Sequence, residues 1–178
     1  MANSDEIGAS VGFPPIVGKD ARVLILGSLP SQASLMAHEY YAHPQNAFWG
    51  IMRELTGADG DYATRCESLR NAGIAVWDVL ASSVRPGSMD ADIRLDSAVP
   101  NDFAAFFSTH PRLQLVCHNG KKSQDMFRKF VQLPTTHTRL RFETLPSTSP
   151  AYASLPFAEK LRIWRGIIEP ELNGRDRR

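Results

Sequence analysis

The chain is poor in cysteine and has no long apolar run, and both absences limit what kind of protein it can be. Its 178 residues include only Cys66 and Cys117, which excludes a disulfide framework and a four-cysteine zinc or iron–sulfur site. No stretch approaches the ~18 consecutive apolar residues of a membrane-spanning helix. The first residues lack the basic start and apolar run of a signal peptide. We therefore expect a protein of the reducing cytoplasm.

Net charge is also nearly absent, at +1, so the total neither supports nor excludes a nucleic-acid partner. The distribution of charge is more informative, because residues 121–141 carry six basic residues against the single acid Asp125. Such a segment is typical of a surface that contacts phosphates, and equally of a solvated basic helix face. Charge alone leaves both interpretations open.

Length and composition favour one compact domain. A chain of 178 residues with 43% hydrophobic and 22% charged residues can bury a core of ordinary size. We expect a single domain over residues 1–178, with residues 1–19 as an N-terminal extension and residues 173–178 as a flexible tail.

Short apolar runs alternate with segments of helical periodicity along the chain. Apolar residues at helical spacing predict helices over residues 46–55, 61–71 and 121–133 and in the segment opened by Pro156. Short apolar runs predict four strands, at residues 21–27, 73–80, 113–117 and 139–145. A further helix, with Phe103, Phe106 and Phe107 on its apolar face, precedes the third strand. The last strand alternates apolar and charged residues, which is typical of a sheet edge. This order predicts an α/β fold: a three-layer αβα sandwich around a central four-stranded parallel sheet.

Ligands bind outside the carboxyl ends of the strands in such sheets. Here those ends carry small, polar or backbone-exposing residues: Gly27-Ser28-Leu29-Pro30-Ser31, the stretch after Trp77-Asp78-Val79, His118-Asn119-Gly120, and residues 145–150. The first of these loops is neither a Walker loop nor a G-x-G-x-x-G fingerprint. We expect the functional site at this edge.

An unusual cluster of aromatic and polar residues lies at positions 40–49, directly before a predicted helix. A base extruded from DNA needs an aromatic face to stack on and a polar group to recognise its edge. Tyr41 and Asn46 are suited to these two functions. Taken singly, Tyr41 is equally explained as a core aromatic and Asn46 as a helix N-cap, so the combination carries the prediction.

These residues resemble the hypoxanthine-DNA glycosylase branch of the uracil-DNA glycosylase superfamily. The stretch GSLPSQASLMAHEYYAHPQNAFW is similar to the first motif of that branch, and LPSTSPAYAS, at residues 145–154, is similar to the second. GIAVWDVL followed by RPGSMD is similar to the second strand of the superfamily and its loop. The likeness covers nearly the whole chain from about residue 20.

The resemblance implies a monofunctional DNA glycosylase that hydrolyses the N-glycosidic bond of a deaminated base, with hypoxanthine favoured. It implies that Asn46 is catalytic, that Tyr41 stacks on the extruded base, and that Asn119 is a second polar group of the pocket. The other expected base-binding residues are Gly27, Ser28, Leu29, His43 and Phe48. The expected DNA-binding residues are Pro30, Ser31, Ser147, Thr148, Ser149, Lys121 and Lys122, with Tyr152 or Leu155 as the wedge.

Two departures from the superfamily limit the inference about substrate. The aspartate and histidine of the classical uracil enzymes are replaced by Ser28 and by Leu145-Pro146. This argues against a specialised uracil enzyme and leaves water activation to weaker groups. Tyr152 also stands where the resemblance predicts an asparagine.

Other functions remain open from the sequence. A mismatch-type uracil or broad deaminated-base glycosylase is compatible with these motifs, and so is a non-catalytic DNA- or nucleotide-binding module on the same fold. A metal-dependent hydrolase is disfavoured, because His38 and His43 lack ligand spacing with an acid pair. No metal or cofactor is expected, since hydrolysis needs only water, and the expected partner is damaged DNA bound by a monomer.

Overall fold

The computed structural model describes residues 8–87, 89–135 and 139–174. The strands within these ranges are β1 (Ala9–Val11), β2 (Val23–Gly27), β3 (Ile74–Asp78), β4 (Leu80–Val84), β5 (Val99–Pro100), β6 (Leu115–Asn119) and β7 (Arg141–Leu145). The helices are α1 (Gln32–Ala37), α2 (Phe48–Thr56), α3 (Tyr62–Ala72), α4 (Phe103–Thr109), α5 (Lys121–Phe130) and α6 (Phe157–Asn173). None of the described helices is long and apolar enough to cross a membrane.

The main sheet has four parallel strands in the order β3-β2-β6-β7. The predicted four-stranded parallel sheet is therefore confirmed. In chain order, β3 pairs with one side of β2 and β6 pairs with the other side. The direction in which the chain adds strands to the sheet therefore reverses between β2 and β6. A crevice opens outside the carboxyl ends of the strands at such a reversal. The strand β7 lies at the edge of the sheet, as predicted. Its first four residues are all exposed, so the single solvated face that its alternating sequence predicts is not observed.

Both faces of the sheet are covered by helices. Along β2, Val23 and Ile25 pack on one face with residues of α2, α3 and α6, whereas Leu24 and Leu26 pack on the other with residues of α4 and α5. Every residue of β2 is buried. Each such aliphatic side chain contributes about 1.5–3 kcal/mol through removal from water. The predicted three-layer αβα architecture is confirmed.

The predicted strand at residues 73–80 is divided between two sheets. It ends in the main sheet at Asp78, and β4 then pairs antiparallel with β1 and β5 in a separate three-stranded sheet. A continuous apolar run cannot show this change, because Val79 and Leu80, where the chain passes to β4, are as buried as the core of β3.

The N-terminal segment and the region after β2 also differ from the expectation. Part of the predicted N-terminal extension joins the fold, since β1 pairs with β4 and Ile16 forms a bridge with Val76. The six-residue helix α1 was not predicted, because its length is too short for a periodic pattern. Residues 175–178 of the predicted tail lie outside the described residues.

A buried histidine links three elements of the core. The Ser123 hydroxyl donates to the Leu26 carbonyl at 2.8 Å, so it can only accept at the 2.9 Å contact with Nδ1 of His118. The proton of the neutral imidazole therefore lies on Nδ1, and the chain of bonds ties β6 to α5 and β2. His118 is 2% exposed, and this burial, with a smaller contribution from the charge of Arg128, lowers its pKa to about 4.

This histidine should make folding stability depend on pH. Between pH 6.5 and pH 4 the unfolded chain binds a proton at residue 118 that the folded chain does not bind, so stability falls as the pH is lowered through this window. We expect the free energy of unfolding to drop by about 2 kcal/mol from pH 7 to pH 5 through this group alone. Urea unfolding of wild type and His118→Asn at both pH values tests this, since equal pH dependence of the two proteins would contradict it.

Candidate functional site

A cavity of about 620 Å³ opens at the carboxyl edge of the main sheet. All four parallel strands contribute to its lining, through Gly27 and Ser28 after β2, Asp78 at the end of β3, Asn119 at the end of β6, and residues 147–149 after β7. The site therefore lies where the strand topology predicts it.

Tyr41 is held in an unusual backbone conformation beside this cavity. Its φ angle of 53° lies in the left-handed region, which is costly for a bulky residue. The neighbouring Tyr40 anchors the segment: it is 3% exposed, its hydroxyl donates to the Pro14 carbonyl at 3.0 Å, and its carbonyl accepts the indole N–H of Trp49 at 2.8 Å. The ring of Tyr41 stacks on Phe48 with centroids 4.1 Å apart. One face of Tyr41 is thus supported by the core.

Asn46 lies immediately before α2 and lines the cavity. Its Oδ1 accepts the backbone N–H of Phe48 at 3.0 Å, so the side chain satisfies one of the free donors of the helix start. The N-cap position itself is Ala47, whose N–H donates to the Thr148 carbonyl at 3.0 Å. Asn46 therefore lines the cavity as expected, but it is not the N-cap residue, because it lies one position earlier and accepts from the first helical residue.

Asn119 and Thr148 form a reciprocal pair that joins β6 to the loop after β7. The Nδ2 of Asn119 donates to the Thr148 hydroxyl and its Oδ1 accepts the Thr148 N–H, each at 2.9 Å. Thr148 is 1% exposed. An amide has two donors and two acceptor positions, so this pair leaves one of each for a ligand. Together with the Ala47–Thr148 bond, it connects the first and second motifs.

The loop after β2 is shaped by short-range bonds and one buried cation. Ser31 caps α1 by accepting the N–H of Ser34 at 3.2 Å. The guanidinium of Arg85, a residue 2% exposed that lines the cavity, donates to the Pro30 carbonyl. A charged donor that is buried in this way holds the loop against β4.

Asp78 lies at the base of the cavity and is 4% exposed. It pairs in register with Gly27 on the adjacent strand. The pKa of the Tyr40 hydroxyl is raised, mainly by the burial of Tyr40 and to a smaller extent by the negative charge of Asp78. The carboxylate of Asp78 is therefore part of the site.

A buried lysine of α6 supports the loop after β7. Lys160 is 5% exposed, and its Nζ donates to the Tyr152 carbonyl at 2.7 Å. The same Nζ lies 5.2 Å from the centroid of the Tyr152 ring, which is within cation–π distance. Desolvation by burial lowers the pKa of this ammonium group. Tyr152 itself stays exposed at the rim of the cavity.

Most of the residues predicted for the site lie together around this cavity. They are Gly27, Ser28, Leu29, Pro30, Ser31, Tyr41, His43, Asn46, Asn119, Ser147, Thr148 and Ser149.

Three predicted site residues lie elsewhere. Phe48 has no exposed surface and lies behind Tyr41, so it supports the stacking residue and does not line the cavity. Lys121 and Lys122 are at the start of α5, outside the lining, and Lys121 forms a bond of 2.8 Å with Asp125.

Sequence reasoning missed Asp78, Arg85 and Lys160 as parts of the site. The strand-end rule points to Asp78, because it is the last residue of a parallel strand. Arg85 and Lys160 give no comparable signal. Arg85 bonds to Pro30, which is 55 positions away in the chain. Lys160 bonds to Tyr152, 8 positions away, through a fold of the chain that its polarity pattern does not predict. Among the described residues, no group of three or more His, Cys, Asp or Glu side chains is placed to hold a metal ion.

Comparison with known proteins agrees with this architecture. The profile of the uracil DNA glycosylase superfamily matches residues 14–167. A hypoxanthine DNA glycosylase from Methanosarcina barkeri is 40% identical over 115 residues, which are 63% of this chain and 72% of that protein. A second one, from Methanosarcina acetivorans, is 36% identical over 115 residues with the same coverage.

A solved structure extends the comparison to the fold. The solution NMR structure of a candidate uracil DNA glycosylase from Methanosarcina acetivorans superposes with a TM-score of 0.70 at 29% identity, covering 89% of this chain and 98% of that one. The superfamily profile spans both site motifs and the strands that carry them. The chain therefore belongs to the uracil DNA glycosylase superfamily.

Proposed function

We propose that this DNA glycosylase hydrolyses the bond between hypoxanthine and deoxyribose in a nucleotide flipped out of DNA. The observation that carries the proposal is the meeting of Tyr41, Asn46 and Asn119 around one cavity, which unites an aromatic face with two amides. The similarity to two proteins described as hypoxanthine DNA glycosylases supports the choice of base.

Tyr41 provides the surface on which the base stacks. Phe48 covers one face of its ring, so a base can stack only on the other. Stacking on an aromatic side chain contributes ~1–3 kcal/mol. Because the core holds the ring in place, little conformational entropy is lost when the base binds.

Asn46 stabilises the negative charge that develops on the leaving base. The bond between C1′ and N9 breaks with its electron pair leaving on the base, water oxygen bonds to C1′, and a water proton passes to the released base. An amide has no useful pKa, so Asn46 cannot serve as a general base. Its Oδ1 already accepts from Phe48, and its NH₂ group donates to the departing base.

The DNA strand lies across the rim of the cavity in this proposal. Pro30 and Ser31 on one side, with Ser147 and Ser149 on the other, border the opening through which the nucleotide enters. Thr148 is buried and positions its neighbours through Asn119. Lys121 and Lys122 at the start of α5 contact phosphates next to the site.

We further propose that the chain acts as a single-domain monomer in the cytoplasm, associated with the nucleoid when it acts on DNA. The only reactant besides the DNA is water, so the proposed reaction uses no cofactor and no metal ion. The proposed enzyme is monofunctional, because no lysine is assigned the role of attacking the opened sugar.

Replacing Asn46 should slow the chemical step while preserving DNA binding. We expect Asn46→Ala and Asn46→Asp each to slow single-turnover excision of hypoxanthine by about 100-fold or more, the usual effect of removing one preorganised donor. Asn46→Asp keeps the acceptor for the Phe48 N–H, so it separates the NH₂ donors from the structural bond. Cleavage of a labelled duplex after alkali treatment measures the rate. An Asn46→Asp rate equal to that of wild type would contradict the donor role.

Removing the aromatic face of Tyr41 should weaken binding of the flipped base. We expect Tyr41→Leu to lower the second-order rate constant for hypoxanthine excision by roughly 5-fold to 100-fold, which is the loss of one stacked base contact. Tyr41→Phe keeps the face and the same backbone strain, so its loss should be several-fold smaller. The two variants would be equally impaired if the hydroxyl, and not the ring, were the group that matters.

A further inference from the structure

The backbone at Tyr41 has a conformation that a tyrosine rarely adopts. Its φ angle of 53° lies in the left-handed region, and among the described residues other than glycine only His38 shares a positive φ. His38 follows the last turn of α1, where a left-handed residue commonly ends a helix. Tyr41 ends no helix, so contacts with the rest of the structure must hold it in this conformation.

The direction of the Tyr41 ring depends on this conformation. A change of φ from the left-handed to the right-handed region swings the side chain about the N–Cα bond relative to the preceding peptide. In the observed conformation the ring stacks on Phe48, with centroids 4.1 Å apart, and borders the cavity. Relaxation of the backbone to a more favourable region would therefore take the ring away from this position.

Two side chains fix the peptide planes on either side of Tyr41. The preceding plane contains the carbonyl of Tyr40, which accepts the indole N–H of Trp49 at 2.8 Å. The following plane contains the N–H of Ala42, which donates to the hydroxyl of Ser34 at 3.2 Å. Because each peptide unit is planar, the orientations of these two planes define φ and ψ of the residue between them. The two bonds therefore act directly on the strained torsion angles.

Ser34 is itself held in place within α1. It is 2% exposed, and its hydroxyl accepts a bond of 3.2 Å from the hydroxyl of Ser31, the N-cap residue of the helix. Its carbonyl accepts the N–H groups of His38 and Glu39. The loop after β2 and the segment that carries Tyr41 are thus joined at this serine.

Trp49 is held by neighbours in α2 and α3. Its ring meets the rings of Phe48 and Tyr62 edge-on, with centroids 5.0 Å and 5.9 Å away. The guanidinium of Arg65 lies 4.5 Å from the centroid of the Trp49 ring, which is within cation–π distance. The hydroxyl of Tyr62 also accepts the N–H of Tyr40 at 3.0 Å. The indole N–H therefore has a fixed direction from which to hold the Tyr40 carbonyl.

We propose that Ser34 and Trp49 are positioning residues that hold Tyr41 in the left-handed conformation and so direct its ring at the flipped base. The inference rests on the proposed function for the role of the ring, whereas its conformational part depends only on the two hydrogen bonds. Loss of either bond lets Tyr41 relax. Only the fraction of molecules that keep the conformation can then stack the base, and the apparent affinity for the base falls with that fraction.

Backbone NMR of isotope-labelled protein tests the conformational part without a substrate. The amide and α protons of a residue with positive φ lie close together, so the nuclear Overhauser effect between them is strong. We expect this signal at residue 41 to be strong in the wild type and weaker in Ser34→Ala and in Trp49→Phe. A signal of unchanged strength in both variants would overturn the proposal.

Excision rates test what the conformation does. We expect Ser34→Ala and Trp49→Phe each to lower the second-order rate constant for hypoxanthine excision by about 3-fold to 10-fold, the usual effect of losing one hydrogen bond. The affinity for a duplex with an abasic site should be unchanged, because this ligand has no base to stack. Ser108→Ala removes an exposed hydroxyl that donates to the Ala104 carbonyl in α4. It is the matched control and should keep the wild-type rate.

A double-mutant cycle shows whether these residues act through the ring. Ser34 also borders the cavity, so a direct contact with the base would equally slow Ser34→Ala. In a Tyr41→Leu background a positioning residue has no ring left to direct, and the second substitution should cause no further loss. Losses of the same size in the wild-type and Tyr41→Leu backgrounds would contradict the inference.

The outcomes separate this inference from the proposed function. Excision by the wild type, with independent losses at residues 34, 41 and 49, would overturn the inference and leave the proposed function standing. Failure of the wild type to excise hypoxanthine would overturn the proposed function and the role of the ring with it. In that case the NMR signal would still decide whether Ser34 and Trp49 hold the left-handed conformation.

Discussion

The burial of β2 on both faces is the constraint on which the geometry of the site depends. Its apolar side chains must pack against two helical layers at once, so the strand can occupy only the interior of the sheet. That position places a strand end on each side of it, and Gly27 then faces Asp78 across the β2–β3 ladder. A side chain at Gly27 would displace the carboxylate, so close packing of the sheet and composition of the cavity are determined together.

The two motifs act as one unit because Thr148 connects them. It accepts from the backbone of Ala47, which precedes α2, and it pairs with Asn119 at the end of β6. The loop after β7 is thus bonded both to the segment before α2 and to the sheet. Lys160 holds the same loop from α6 through the Tyr152 carbonyl. Such support restricts the motion of groups that must meet a flipped base within a few tenths of an ångström.

The site combines the ring of Tyr41, which packs against the core, with amides that already carry structural bonds. Asn46 and Asn119 each use part of their hydrogen-bonding capacity on the backbone or on Thr148, and the remainder faces the cavity. Their orientation is therefore set before the substrate arrives. Such a fixed orientation is what the proposed role of Asn46 requires in a site that lacks the aspartate and histidine of the classical uracil enzymes. The buried residues Asp78 and Arg85, which carry opposite charges, line the same cavity.

The sequence by itself determined the layer architecture, the edge of the sheet that carries the site, and most of the residues of the cavity. These follow from local patterns: buried runs that end in small residues, helical periodicity, and the motif around Tyr41 and Asn46. Only the tertiary structure decided the roles of Asp78, Arg85 and Lys160, the division of the second apolar run between two sheets, and the position of Phe48 behind Tyr41. Each of these depends on how segments of the chain pack in three dimensions, and a linear pattern of polarity does not contain that information.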